Sequence, residues 1–352
     1  VAYGYRLGEV NLPKPFELKD DCKIKLNPYA GDPNFRPPVL VGLGCHVPGF
    51  VCPHPDPSDR DTVIAGAGQR FCRKAPSVNP KTLKRFRIYV YRWLRKNLTP
   101  IDPTTFDPSV DSWLAKTPYT FSRKEELRRK WAAVGDIFDF TKKYFQLKCF
   151  AKDETYPTYK YARAINARSD EFKCAVGPIF KAIEEIVYKH PSFIKHVPVA
   201  ERPQYIVNML YRAGAKYTAT DFTSFESLFT QEIMEACEFQ LYDYMVSSLA
   251  ESGWFSELCH DVLGGENVCR FKHFIVYLLA TRMSGEMCTS LGNGFSNLMF
   301  MQFMCEESGA TNVVGVVEGD DGLFSMSGSS PTAVSFEQLG LRIKLELHSS
   351  LN

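Results

Sequence analysis

The sequence predicts an α+β fold, and three observations predict it. Apolar residues recur at helical spacing over 81–96, 173–190 and 230–249, and each stretch is too long for a strand. Short apolar runs at 215–219, 312–317 and 323–326 read as strands, the last two joined as a hairpin by Glu318-Gly319-Asp320-Asp321-Gly322. The strands do not alternate with helices as βα units, and there is no internal repeat.

With 352 residues and 45% hydrophobic content, the chain is too apolar for a disordered protein and long enough for two or three subdomains. Its net charge of +2 conceals an uneven distribution. Residues 1–180 hold 31 Lys+Arg against 19 Asp+Glu, a balance of +12, whereas the remainder holds 11 against 21, a balance of −10. A basic half suits a polyanion, and an acidic half concentrates carboxylates of the kind that bind metals. The 11 cysteines are odd in number, form no Cys-x-x-Cys pair and follow no signal-peptide pattern, so a reducing compartment is expected. No apolar run approaches the roughly 18 residues needed to span a bilayer, so no membrane insertion by this chain is expected.

Taken in order, residues 1–78 are rich in Pro and Gly and read as an extended arm. The helix at 81–96 carries seven basic residues, no acid, and the aromatics Phe86, Tyr89, Tyr91 and Trp93. That pattern suits phosphate contact with base stacking, and equally a helix with a solvated basic face and a buried aromatic one. A second basic cluster, 123–130, lies on a helix whose start is signalled by Ser122 with Glu125 three residues on. The run at 215–219 leads into Asp221, and the Ser284-Gly285 loop leads into an apolar helix through Met304.

The sharpest chemistry is at the hairpin tip. Adjacent carboxylates at a tight turn, Asp320 and Asp321, repel one another unless a cation neutralises them, although Asp-Gly is also ordinary turn chemistry. Asp221 is a second carboxylate donor at the end of a separate strand, and two metals held by such a set can activate a hydroxyl and neutralise a phosphate leaving group. Thr289 and Asn293, four apart on one helix, share a face and could read a ribose hydroxyl; a helix-capping cluster with a solvated Asn is the alternative.

The ordered set Asp221-x4-Glu226, Ser284-Gly285-x3-Thr289-x3-Asn293 and Gly319-Asp320-Asp321 resembles motifs A, B and C of the RNA-dependent RNA polymerases of positive-strand RNA viruses. The wording is closest to the tombusvirus-like and noda-like groups. Phe150-Ala151-Lys152-Asp153-Glu154, Lys160, Arg163-Ala164-Ile165, Arg168, Gly177 and Lys181 resemble motif F, and Gly340-Leu341-Arg342-Ile343-Lys344 resembles motif D. The resemblance covers about 119–346. It implies a right-hand polymerase fold with a small antiparallel palm sheet: an arm over 1–78, fingers over 79–210, and a palm over 211–352 with a fingers insertion around 250–280.

The resemblance further implies template-directed nucleotidyl transfer from NTPs to an RNA 3′ end. Two Mg²⁺ ions, with Mn²⁺ as substitute, would be coordinated by Asp221 and Asp320 with Asp321 in support. Lys152, Arg163 and Arg168 would grip the triphosphate, and Lys344 would act as general acid for pyrophosphate. Glu226, Asn293 and Thr289, with the Ser284-Gly285 loop, would select the sugar. Tombusviruses proper have aspartate where Glu226 stands, so its hydrogen-bond route must differ by a methylene. Ser122-Arg123-Lys124 would contact template. The implied partners are template and nascent RNA, NTPs and other viral replicase segments, at membrane-associated replication complexes in host cytoplasm. The chain stops where motif E should begin, so the thumb is expected to be missing and the fragment to polymerise little alone.

Three other readings compete. A reverse transcriptase shares paired aspartates but has an aromatic residue near them and lacks the 284–293 pattern. A non-catalytic RNA-coating protein fits composition alone. Cys45, His46, Cys52, His54 and Cys72 could ligate Zn²⁺, but their spacing matches no standard finger, which favours free thiols.

Overall fold

The computed structural model describes residues 4–10, 12, 17–27, 53–135 and 142–351. Among these are helices α1 (Arg60–Ala67), α2 (Pro80–Asn97), α3 (Val110–Ala115), α4 (Phe121–Ala132), α5 (Asp170–Val187) and α6 (Arg202–Leu210). There follow α7 (Gln231–Ala236), α8 (Glu238–Val246), α9 (Ser252–Leu258), α10 (Thr289–Glu307) and α11 (Ala333–Glu337). The strands are β1 (Lys23–Leu26), β2 (Leu147–Ala151), β3 (Ala164–Arg168), β4 (Lys216–Phe222), β5 (Glu266–Arg270), β6 (Phe274–Leu279), β7 (Ala310–Glu318), β8 (Asp321–Gly328) and β9 (Ile343–His348).

They build two sheets, so the fold is mixed α/β. One has the order β1-β6-β5-β2-β3, antiparallel except where β2 runs parallel to β5. The other, β7-β8-β4-β9, is antiparallel throughout. Cys269 and Arg270 of β5 thus pair with Leu147 and Lys148 of β2, far away in sequence, and β1 brings part of the arm to the same sheet through β6.

The largest core joins α2, α5 and α7–α10 to one face of the second sheet, through Phe86, Trp93, Phe180, Phe222, Phe300 and Phe324. α10 is buried along nearly its whole length because it is apolar on every side, as a central helix must be. α2 resolves the two readings of its basic and aromatic residues in part. Phe86 and Trp93 are buried, while Arg85, Arg87 and Arg92 pair with Glu307, Glu235 and Glu306. Much of its basic charge therefore faces acids of the carboxyl-terminal half of the chain. Tyr91 stays exposed, beneath the Arg95 guanidinium.

Two expected boundaries are corrected. α4 begins at Phe121, capped by Thr120, whose side chain accepts from the Arg123 amide at 3.4 Å, and not at Ser122. The helix expected at 230–249 is broken at Cys237 (φ −123°, ψ −87°), whose thiol meets Ser296 of α10 at 3.6 Å. Packing against α10 there overrides local propensity.

Among the described residues, no helix is long and apolar enough to cross a membrane. Of the Cys/His set, Cys45, His46 and Cys52 lie outside the described residues; His54 Nε2 sits 3.2 Å from Asp153, and Cys72 is buried.

Candidate active site

The second sheet sets the carboxylates. Glu318 pairs with Asp321, leaving a two-residue turn of Gly319 and Asp320. Gly319 has φ +63°, and a positive φ at the first turn residue is what a tight hairpin of this hand requires. β8 lies beside β4, with Gly322 opposite Thr220, and β9 flanks β4 on the other side, with Lys344 opposite Asp221. Asp221 and Asp321 are exposed and line a cavity of about 450 Å³ with Glu318, Glu346, Ile194 and Ile206.

From the opposite face, fully buried Asn297 on α10 donates its amide to the Asp320 carbonyl at 2.8 Å. Thr220 donates to the Gly322 carbonyl at 3.3 Å. The turn is thereby fixed to both α10 and β4. Asp320 is exposed at the turn, yet the protein packed near its carboxyl, and then Glu226 and Asp321, push its pKa above the usual carboxylate value; its own backbone amide, and then Arg70, act the other way.

Glu226 lies in a short 3-10 turn (Phe225–Leu228) after Ser224, a non-glycine residue at φ +53°. Glu226 itself is buried. Oε1 accepts from Arg70 Nη2 at 2.8 Å and from Ser284 Oγ at 2.9 Å, and Oε2 is buried without a partner. Asn293 is 7% exposed, and its Oδ1 is likewise unpartnered. It is therefore not the solvated Asn that the capping alternative requires.

The loop carrying Ser284 is held firmly. Thr289 Oγ1 donates to the Met283 carbonyl at 2.9 Å, so this hydroxyl secures the loop. The Asn166 amide donates to the Ser284 carbonyl at 2.6 Å, and Gly285 has φ +115°, with a Cβ there only 3.1 Å from the Asn166 oxygen. On one flank Arg282 forms an ion pair with Glu238, both fully buried and joined by the Tyr242 hydroxyl. Gly292 lets α10 approach that pair, since a Cβ would lie 2.5 Å from Glu238 Oε2. On the other flank Glu286 pairs with Arg168 at 2.5 Å, each side chain 2% exposed.

Arg168 thus departs from the expectation of a triphosphate grip. Its guanidinium is committed to Glu286, Asn267 Oδ1 at 2.5 Å, and the Phe145 and Val262 carbonyls. Lys152 and Arg163 both engage Glu154, at 2.8 and 2.5 Å, and the Arg163 guanidinium holds that carboxyl down at about 2. Lys344 contacts Glu346 at 2.5 Å, and Glu346, with a smaller contribution from Asp221, raises its pKa. Arg123, expected at template, pairs with Asp170 and Glu126.

Sequence reasoning missed two residues. Asn297 was within reach, being one further helical turn beyond Thr289 and Asn293. Arg70 carried no local signal, since it sits 156 residues from Glu226 in a one-turn π-helix (Gly68–Cys72).

Among the described residues, no three His, Cys, Asp or Glu side chains converge as a metal-ligand group. The donor chemistry nevertheless fits a hard cation, because the acids are oxygen donors and the mutual repulsion at Asp320 is what a cation relieves. No model of a known protein family matches the chain, and no curated protein matches it.

Proposed function

We propose that the chain forms the fingers and palm of a viral RNA-directed RNA polymerase. One observation carries this reading: a two-strand acidic turn lies beside β4, which carries Asp221 next to its last residue, while Glu226 is hydrogen-bonded to Ser284 in the loop before α10. Asp221 and Asp320, with Asp321, would hold Mg²⁺, which when bound supplies charge neutralisation at phosphate oxygens. Asn297 and Thr220 fix the backbone of the acidic turn, and the two buried ion pairs fix the loop presenting Ser284. The free oxygens of Glu226 and Asn293 accept from sugar hydroxyls. Lys344, protonated at neutral pH and in register with Asp221, is the proton donor to the leaving group. Lys152 and Arg163 reach a triphosphate by exchanging Glu154 for phosphate oxygens. RNA and NTPs are the partners, in replication complexes of the host cytoplasm.

The test is Asp320→Asn and Asp221→Asn in the full-length protein, assayed for Mg²⁺-dependent nucleotide incorporation on an RNA template. Losing a metal ligand removes several kcal/mol of transition-state stabilisation, so rates should fall roughly 10³-fold or more. Retained incorporation defeats the metal-ligand assignment. RNA binding without Mg²⁺-dependent nucleotide binding favours the RNA-coating alternative.

A further inference from the structure

We propose that Arg70 is a specificity-determining residue: it holds Glu226 Oε1 so that Oε2 stays free to accept a hydrogen bond from a hydroxyl of the bound sugar. This rests on the polymerase reading and assigns a sugar-selecting role to a residue of the amino-terminal segment.

The geometry divides the Glu226 carboxylate into two unequal halves. Oε1 takes both available donors, Arg70 Nη2 at 2.8 Å and Ser284 Oγ at 2.9 Å. Oε2 takes none, although it is buried. A buried acceptor without a donor is unfavourable, and that deficit is available to a ligand that brings a hydroxyl. Asn293 Oδ1 is a second buried acceptor of the same kind, one helical turn beyond the Thr289 that secures the loop.

Arg70 is suited to the holding role. Its side chain is 31% exposed and that of Glu226 10%, so the contact is shielded on the carboxylate side, unlike an exposed surface pair. Without Arg70, the same carboxylate could turn and bond through either oxygen, and a sugar lacking the hydroxyl would be penalised less. A fixed site left with an unpaired group discriminates strongly against the analogue lacking the partner.

The experiment measures kcat/KM for ATP and 2′-deoxy-ATP opposite a template uridine, using full-length wild type, Arg70→Gln, Arg70→Lys and Glu226→Gln. The expected result is a ribose preference in the wild type that falls about tenfold in Arg70→Gln. Arg70→Lys should restore part of it, and the double variant Arg70→Gln with Glu226→Gln, measured alongside the four, should lose no more than Glu226→Gln alone. An unchanged ratio, or an equal loss on both nucleotides with a lowered melting midpoint in both Arg70 variants, makes Arg70 structural only and overturns the proposal. A wild type that incorporates no nucleotide on any template defeats the polymerase reading itself, and the Arg70 assignment with it.

Discussion

The two sides of the loop at 280–288 treat charge in opposite ways. Behind it, Glu238 and Glu286 each meet a guanidinium, from Arg282 and Arg168, with side chains 0–2% exposed. In front of it, Asp221 and Asp321 line one cavity, Asp320 feels the charges of Glu226 and Asp321, and Arg70 is the cation acting on Asp320. Paired charges in a low-dielectric interior fix geometry, whereas an excess of one sign stores repulsion that a bound ion of the other sign can relieve. The loop therefore stands between a part that anchors and a part that is chemically incomplete. It also carries its own backbone strain, with Ala280 at φ +51° and Thr281 at φ +78°.

The largest stability effect should come from breaking the anchoring side. Arg168→Met leaves Glu286 buried alone and also removes the bonds to Asn267 and two carbonyls. A loss of about 3–5 kcal/mol is expected in urea unfolding. The double change Arg168→Met with Glu286→Leu should recover the part due to the unpaired Glu286 carboxylate, because an apolar pair replaces two desolvated charges, while the loss from Asn267 and the two carbonyls remains. A single variant within about 1 kcal/mol of wild type would show that the pair anchors nothing.

The same pair explains where the sequence was legible and where it was not. Regular elements followed from periodicity: α2, α5, α10, β4 and the β7–β8 hairpin fall close to the expected segments. The acidic turn and Asp221 were legible because turn chemistry and strand ends are local. Partners were not. Arg168 reads as an outward basic residue until Glu286, 118 residues away, is brought against it by sheet pairing. Arg70 joins Glu226 across a comparable gap. The break at Cys237 depends on Ser296, which no window around 230–249 contains.

Asn297 lies on the border between the two sides, and changing it sharpens the comparison. Its amide ties α10 to the Asp320 carbonyl at 2.8 Å, and it is fully buried. Asn297→Leu keeps the volume and removes the donor, leaving a carbonyl unpaired at the turn. The expected stability loss is about 1–3 kcal/mol. Incorporation by the full-length protein should fall as well, because the acidic turn loses its tie to the helix. Lost stability with unchanged incorporation would mean that α10 supports the turn without positioning it.

The smallest expected effect tests whether pairing stabilises where solvent can reach. Glu154 is 17% exposed, but its partners Lys152 and Arg163 are 44% and 41% exposed. The Arg163 hydrogen bond lowers its pKa from an ordinary 4.5 to about 2, so its stabilisation is fully present above the unfolded value and lost as pH falls through about 2. Screening at the exposed partners reduces the contribution to about 1 kcal/mol or less. Glu154→Gln should therefore be less stable than wild type at pH 7 by that amount, with the gap closing as unfolding is measured down towards pH 2. A gap independent of pH would trace the effect to packing. Asp320 supplies the opposite sign: its pKa is raised in the fold, so ionisation near neutral pH costs stability and protonation restores it. Asp320→Asn should then keep or raise the melting midpoint at pH 7 while incorporation is lost. That divergence separates a carboxylate kept for chemistry from one kept for the fold.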